Sequence, residues 1–252
     1  MQSNTSLIVL NKEGFTYANN IKTEFIPKSI LPFSVVKKTN RWISDNISTE
    51  DKIEIIIANN SSLFIPKILY DNNFKQSYYE KNDKIADTDK LLSDTSDNLL
   101  NEIIYKIPIK TDIFLNNLSN EFNIKHLNTI IYNFLIRNNK GNLNNKLYVN
   151  ISEDFFNIFL FCGQDLHLIN SYENKGVDSF LYYLFYIIEK KQLNKNEFII
   201  SFLGKYNSFK KFYEDTLMYH QNIEFIFSDN KKNISGINPF IIDYYENYIW
   251  NS

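Results

Sequence analysis

The chain is poor in the residues from which many ligand-binding motifs are built. It holds six glycines in 252 residues, about 2.4% against the ~7% of average composition, and no two are adjacent. A single cysteine, Cys162, excludes an intramolecular disulfide. Three histidines, His126, His167 and His220, form no metal-ligand cluster in the sequence. The net charge of −2, with a pI near 6.0, leaves no basic excess to attract nucleic acid or anionic lipid. The longest apolar run, FLYYLFYII at Phe180–Ile188, falls well short of the ~20 residues of a spanning helix. No membrane insertion is therefore expected. The opening MQSNTSLIVLNKEG has neither the basic start nor the apolar length of a signal peptide. The expectation is a reduced, cytoplasmic protein. Abundant Asn, Lys and Ile fit an AT-rich genome, which makes the Asn-x-Ser triplets at Asn46 and Asn233 chance matches rather than glycosylation sites.

What is present is core-forming material. Hydrophobic residues make up 44% and aromatics 16% of the chain, enough for a sizeable core in one large or two smaller domains. In the second half, Leu147, Val149 and Ile151 alternate with Tyr148, Asn150 and Ser152, the period of a half-buried strand. Phe155–Cys162 is apolar on both faces, and Leu166–Tyr172 follows a Gly163-Gln164-Asp165 turn. Connections this short require antiparallel neighbours, so 147–172 is a three-stranded meander. The period then becomes helical over Asp178–Gln192, with Asp178 as N-cap and Phe180, Leu181, Leu184, Phe185, Ile187 and Ile188 on one stripe. A strand at Glu197–Leu203 follows, then a helix at Ser208–His220 with Phe209, Phe212, Tyr213 and Leu217 inward. A strand at Asn222–Phe227 and a helix opened by Asn238-Pro239 complete the half. The order β-β-β-α-β-α-β-α predicts an α/β mixed sheet covered by helices.

The first half reads as a weaker version of that order. Ser6–Leu10 and Phe15–Asn19 form a hairpin, Ile21–Ile26 a third strand, 35–47 a helix and Ile53–Ala58 a buried strand. Ile65–Tyr70 reads as a short helix with Pro66 in its first turn. Asn82–Asn98 reads as a polar, acidic surface loop, Glu102–Ile109 as a strand, and Ile113–Phe122 and Leu127–Ile136 as helices. The polar stretch NNKGNLNNK at 138–146 is the expected linker between a lobe at 1–140 and a lobe at 146–252.

With these segments in place, the chain resembles a Bacteroidota family of unknown function described as having an actin-like ATPase fold, domain-of-unknown-function family 3822. The resemblance is carried by Gly14-Phe15-Thr16, Leu63-Phe64-Ile65-Pro66, the meander 147–172, Asp178-Ser179-Phe180-Leu181-Tyr182-Tyr183-Leu184 and Ser201-Phe202-Leu203-Gly204. It implies two actin-like, ribonuclease-H-like half-domains in a bacterial protein, and no assigned activity.

ATPases of that fold keep an Asp-x-Gly pair in the first hairpin of each half and paired glycines where adenosine lies. Asp handles the metal, and glycine lets backbone N–H groups reach phosphate. Here the matching positions carry Asn150-Ile151-Ser152, Leu10-Asn11-Lys12-Glu13-Gly14 and Leu203-Gly204-Lys205. Asn150, Ser152 and Gly204 are thus the candidate nucleotide-site residues, and each departs from the ATPase pattern. No cofactor is expected, ATP with Mg²⁺ being the alternative.

Gly204-Lys205 lacks the upstream glycine and the following Ser or Thr of a P-loop. Glu153 and Asp154 sit in a turn, not in the strand-borne carboxylate cluster of a two-metal nuclease. Asp83, Asp87, Asp89, Asp94 and Asp97 lack the spacing of a calcium loop. Cys162 and His167 flank a turn with no third group to orient them. Tyr182, Tyr183 and Tyr186 extend the apolar surface around most of one helix, which is then either deeply buried between layers or offers an aromatic face to a protein partner. The expectation is a non-catalytic interaction or scaffold module that has lost ATP chemistry. A divergent nucleotide-binding switch is the alternative.

Overall fold

The computed structural model describes residues 5–12, 14–27, 42–43, 45–48, 52–59, 62–118, 121–194, 197–227 and 239–250. The chain divides into two compact units, residues 1–134 with 250–252, and residues 135–249.

The first unit is built on β1 (Thr5–Leu10), β2 (Gly14–Ala18), β3 (Thr23–Pro27), β4 (Lys52–Ile57) and β8 (Phe122–His126), in the sheet order β3-β2-β1-β4-β8. β1 pairs antiparallel with β2 and parallel with β4, and β4 pairs parallel with β8. The second unit repeats this order with β9 (Asn145–Ile151), β10 (Phe155–Cys162), β11 (Asp165–Glu173), β12 (Phe198–Phe202) and β13 (Ile223–Phe225), arranged β11-β10-β9-β12-β13. Again the first three strands are an antiparallel meander and the last two run parallel to the first. The duplication expected from element order is therefore present in strand topology, although the sequence carries no repeat.

In the second unit, alternation decides the core. Leu147, Val149 and Ile151 of β9 and Phe156, Ile158 and Leu160 of β10 join Phe180, Leu184, Ile187 and Ile188 of α4 (Val177–Lys190) and Phe212 and Tyr213 of α5 (Lys210–Tyr219) in one buried cluster. Phe180 meets Phe156, Phe212 and Phe202 at ring separations of 5.2, 5.3 and 6.3 Å. Burying one such side chain contributes about 1.5–3 kcal/mol.

Two details differ from the sequence reading. The residue preceding α4 is Gly176, at φ 103° and ψ −179°, and Asp178 lies inside the first turn. That backbone region is essentially restricted to glycine. In α5, Leu217 is 37% exposed, and Thr216 takes the inward place, its hydroxyl donating to the Phe212 carbonyl at 2.7 Å. A turn of 3₁₀ helix at Asn207–Phe209 precedes α5 and advances its register.

The first unit also carries a three-stranded sheet, β5-β7-β6, made of β5 (Ser62–Pro66), β6 (Asp89–Thr95) and β7 (Asn101–Pro108). Here the sequence reading needs correction. Ile65 and Pro66 end a strand, and only Lys67–Leu69 is helical, as a 3₁₀ turn; proline is tolerated because β5 is an edge strand. The expected acidic loop over 82–98 contains β6, whose Asp94 is buried. Phe122 begins β8, because the preceding helix α2 stops at Asn116 (Ile109–Asn116). Two further helices, α1 (Lys75–Glu80) and α3 (Leu127–Asn138), belong to the first half of the chain, and α6 (Pro239–Tyr245) lies near its end. Most of the helix expected over 35–47, and the Asn238 cap, lie outside the described residues.

Candidate functional site

Each residue that the sequence places at a nucleotide position has a local structural partner. Asn150 is the last residue but one of β9 and is buried. Its Nδ2 donates to Asn157 Oδ1 at 3.0 Å, and Asn157 Nδ2 donates to Ser171 Oγ at 2.8 Å. The three residues are direct neighbours across β9, β10 and β11. They form a polar ladder on the sheet face opposite the helices, where an unpaired amide would cost about 1–3 kcal/mol.

Ser152 closes the β9–β10 turn. Its backbone N–H and its hydroxyl both donate to the Phe155 carbonyl, at 2.9 and 2.7 Å, and its own carbonyl accepts from Asn174 Nδ2 at 2.7 Å. Asn174 in turn donates its N–H to the Asp154 carbonyl and accepts from Gly176 N–H. Thus the turn, the end of β11 and the start of α4 are sewn together, and the Ser152 N–H is already used.

Gly204 follows β12 and is buried. A methyl group added there would overlap the Tyr206 ring. That ring cannot easily yield: its Oη donates to Asp243 Oδ2 at 2.5 Å, and its backbone N–H donates to Tyr213 Oη at 3.2 Å. Tyr213 Oη also donates to the Gly204 carbonyl at 3.0 Å. Burial pushes the Tyr213 hydroxyl up to about 12, and burial together with the neighbouring Asp243 carboxylate raises that of Tyr206. Gly204 therefore serves close packing by an aromatic ring of its own chain. Sequence reasoning missed this Gly204–Tyr206–Tyr213–Asp243 network, because nothing local links residues 204 and 243.

In the first unit, Asn11 holds the β1–β2 turn. Its N–H donates to the Gly14 carbonyl at 3.1 Å, and its Oδ1 accepts from Gly14 N–H at 2.8 Å. Beside this turn lies a cavity of about 460 Å³. It is lined by the end of β1 with Asn11 and Lys12, by the end of β4 with Ala58 and Asn59, and by the β7–α2 junction at residues 107–111.

A second polar cluster organises the same unit. Asp94 accepts from His126 N–H at 2.7 Å, Thr129 Oγ1 at 2.7 Å and Tyr105 Oη at 3.0 Å, so a carboxylate from β6 ties down the junction of β8 and α3. Burial raises its carboxyl, with the three donors opposing. The His126 ring is fully buried, accepts from Asn128 N–H at Nδ1 (3.0 Å) and meets Asn59 Oδ1 through Nε2 (3.1 Å). Burial pulls it down to about 3, so the imidazole is neutral.

The remaining candidates are not brought together. Glu153 is an exposed turn residue. Cys162 is part-buried with its thiol pushed up by burial, the reverse of an activated nucleophile, and His167 is exposed. Among the described residues no group of three or more His, Cys, Asp or Glu could hold a metal, and no helix is long and apolar enough to cross a membrane. On α4, Tyr183 stacks on Tyr172 at 4.0 Å, whereas Tyr182 and Tyr186 are 64% and 44% exposed and stack on each other.

Residues 7–223 match the family described as "Protein of unknown function (DUF3822)". A Bacteroides thetaiotaomicron protein with actin-like ATPase fold and unknown function is similar with a TM-score of 0.78 at 17% identity, over 89% of this chain and 91% of that one. A chain of the PilM–PilN type IV pilus biogenesis complex is similar with a TM-score of 0.58 at 8% identity, over 88% and 89% of the two chains. At these identities the likeness shows the fold alone. No curated protein matches the chain.

Proposed function

Because the chain belongs to the family of unknown function DUF3822 and has an actin-like ATPase fold, we propose that it is a non-catalytic, cytoplasmic interaction module in which the ATP chemistry of the fold has been lost. The observation that carries this reading is the Tyr206 ring packed against Gly204, the residue that the family resemblance matches to the adenosine position. A base could enter only by breaking the buried Tyr206–Asp243 hydrogen bond. The commitment of Ser152 N–H and Oγ to the Phe155 carbonyl supports the same reading at the phosphate end. The exposed Tyr182–Tyr186 stack, with Lys190 5.6 Å from the Tyr186 ring, supplies the amphipathic aromatic surface that protein interfaces favour. The fold also occurs in an assembly of proteins, the PilM–PilN complex.

Calorimetric titration of the full chain with Mg·ATP tests the proposal. The expected result is no saturable heat and no rise in melting temperature, since a ligand that binds only the folded state must stabilise it. Micromolar binding that disappears in Asn150→Ala would establish the nucleotide-switch reading instead.

A further inference from the structure

The cavity of the first unit has the chemistry of a ligand site, and its character differs from that of a nucleotide pocket. We propose that it binds a small organic anion with an aliphatic body, whose carboxylate or phosphate head is held by Lys12, Lys110 and Thr111. This inference is independent of the scaffold reading and would survive its failure.

Three observations converge. The cavity volume, about 460 Å³, falls in the ~300–1,000 Å³ range of small-molecule sites. Thr111 lines it and is only 7% exposed. Its hydroxyl can both donate to and accept from a ligand head group. Lys12 and Lys110 stand at the rim with no carboxylate partner among the described residues, whereas neighbouring lysines are paired: Lys90 with Asp112, Lys106 with Asp83 and Lys67 with Glu102.

The start of α2 adds to this. The first N–H groups of a helix lack intrahelical partners and favour an anion. That of Ile109 is taken by the Thr88 carbonyl, and the Asp112 carboxylate in the same turn is neutralised by Lys90 at 2.7 and 2.8 Å. The positive end of α2 therefore stays available on the side of Lys110 and Thr111.

The walls identify the rest of the ligand. Leu10, Ile57, Ala58, Ile107 and Pro108 are aliphatic, and no aromatic ring or carboxylate is among the described lining residues. A nucleobase would lack a stacking surface and a triphosphate would lack a group to hold its metal. An aliphatic chain ending in one anionic group matches both the walls and two cations.

The test is titration of the full ¹⁵N-labelled chain, followed by amide shifts, with octanoate, octyl phosphate, octanol and AMP. Saturable shifts at residues 10–12 and 107–111 are expected with octanoate or octyl phosphate, and the tighter of the two identifies the head group. Octanol should bind at least about tenfold more weakly, the loss of charge-assisted hydrogen bonds. The double variant Lys12→Gln/Lys110→Gln, confined to exposed positions, should lose about tenfold in affinity, and the near-isosteric Thr111→Val several-fold. The proposal is overturned if neither octyl anion saturates, if the double variant binds as the wild type does, or if AMP binds more tightly than octyl phosphate.

Discussion

Acidification should destabilise the first unit through one buried imidazole. His126 is fully buried, packs 5.0 Å from the Tyr105 ring and uses Nδ1 as an acceptor from Asn128 N–H. Protonating Nδ1 would set two donors against each other in a fully buried site. Burial therefore lowers the folded value to about 3, while the unfolded chain titrates near ~6.5. A group with a depressed folded value binds its proton preferentially when unfolded. The stability tied to neutral His126 is thus complete above about pH 6.5 and drains away as pH falls towards about 3. The loss is about 2 kcal/mol between about pH 7 and about pH 5, and approaches 5 kcal/mol at the lower limit. Asp94 acts in the opposite sense: its raised carboxyl favours the protonated form in the fold, so its own contribution improves on acidification. The assay must therefore compare wild type with His126→Gln, in which the contribution of Asp94 remains. Urea unfolding followed by tryptophan fluorescence is suited to this. The only two tryptophans, Trp42 and Trp250, both belong to the first unit, and Trp42 lies edge-on to Phe15 and Tyr17. The wild type should lose about 2 kcal/mol more than the variant over that interval. Parallel losses in the two proteins would refute the assignment of His126 as a buried neutral base.

Three further outcomes follow from backbone and packing. Gly204→Ala should cost about 1–3 kcal/mol through overlap with the Tyr206 ring, and the cost should largely vanish in a Tyr206→Ala background, a coupling that a double-mutant cycle in chemical denaturation would measure. Gly176→Ala should cost about 1–3 kcal/mol from φ strain alone, because no atom lies within 4 Å of the added methyl; an unchanged melting temperature would count against that backbone angle. Leu99, 68% exposed in the β6–β7 turn, is held at φ 59°, so Leu99→Asn should stabilise the protein by up to about 1 kcal/mol in thermal melts, since asparagine tolerates the left-handed region.

The parts legible in the sequence were those with local periodicity. Leu147, Val149 and Ile151 declare a strand, although Tyr148, Asn150 and Ser152 between and beyond them are buried too, so the strand is covered on both faces; Phe180, Leu184 and Ile187 declare a helix. What escaped depends on residues far apart in the chain. The segment 82–98 looked like a solvated acidic loop because Asp94 is stabilised by Tyr105, His126 and Thr129, none of which is near it in sequence. Asp178 looked like a cap because an acidic side chain normally serves at that position, whereas Asn174 orders the turn by accepting from Gly176 N–H. At the candidate site, the departures from Asp-x-Gly at Asn150 and Ser152 were visible, but their new tasks were not. The Asn157–Ser171 ladder needs the strand register, and Tyr206–Asp243 needs the fold.

Trp250 Nε1 donates to the Thr5 carbonyl at 3.0 Å, and residues 250–252 rejoin the unit that holds β1. The consequence concerns the order of synthesis. Domains made vectorially tend to fold as they emerge, yet this unit receives Trp250 only after all of residues 135–249 have been made. The first unit is begun first and finished last. A nascent chain arrested before Trp250 would carry a first strand whose Thr5 carbonyl has not met that indole, and protease sensitivity at the start of β1 in stalled chains would time the closure.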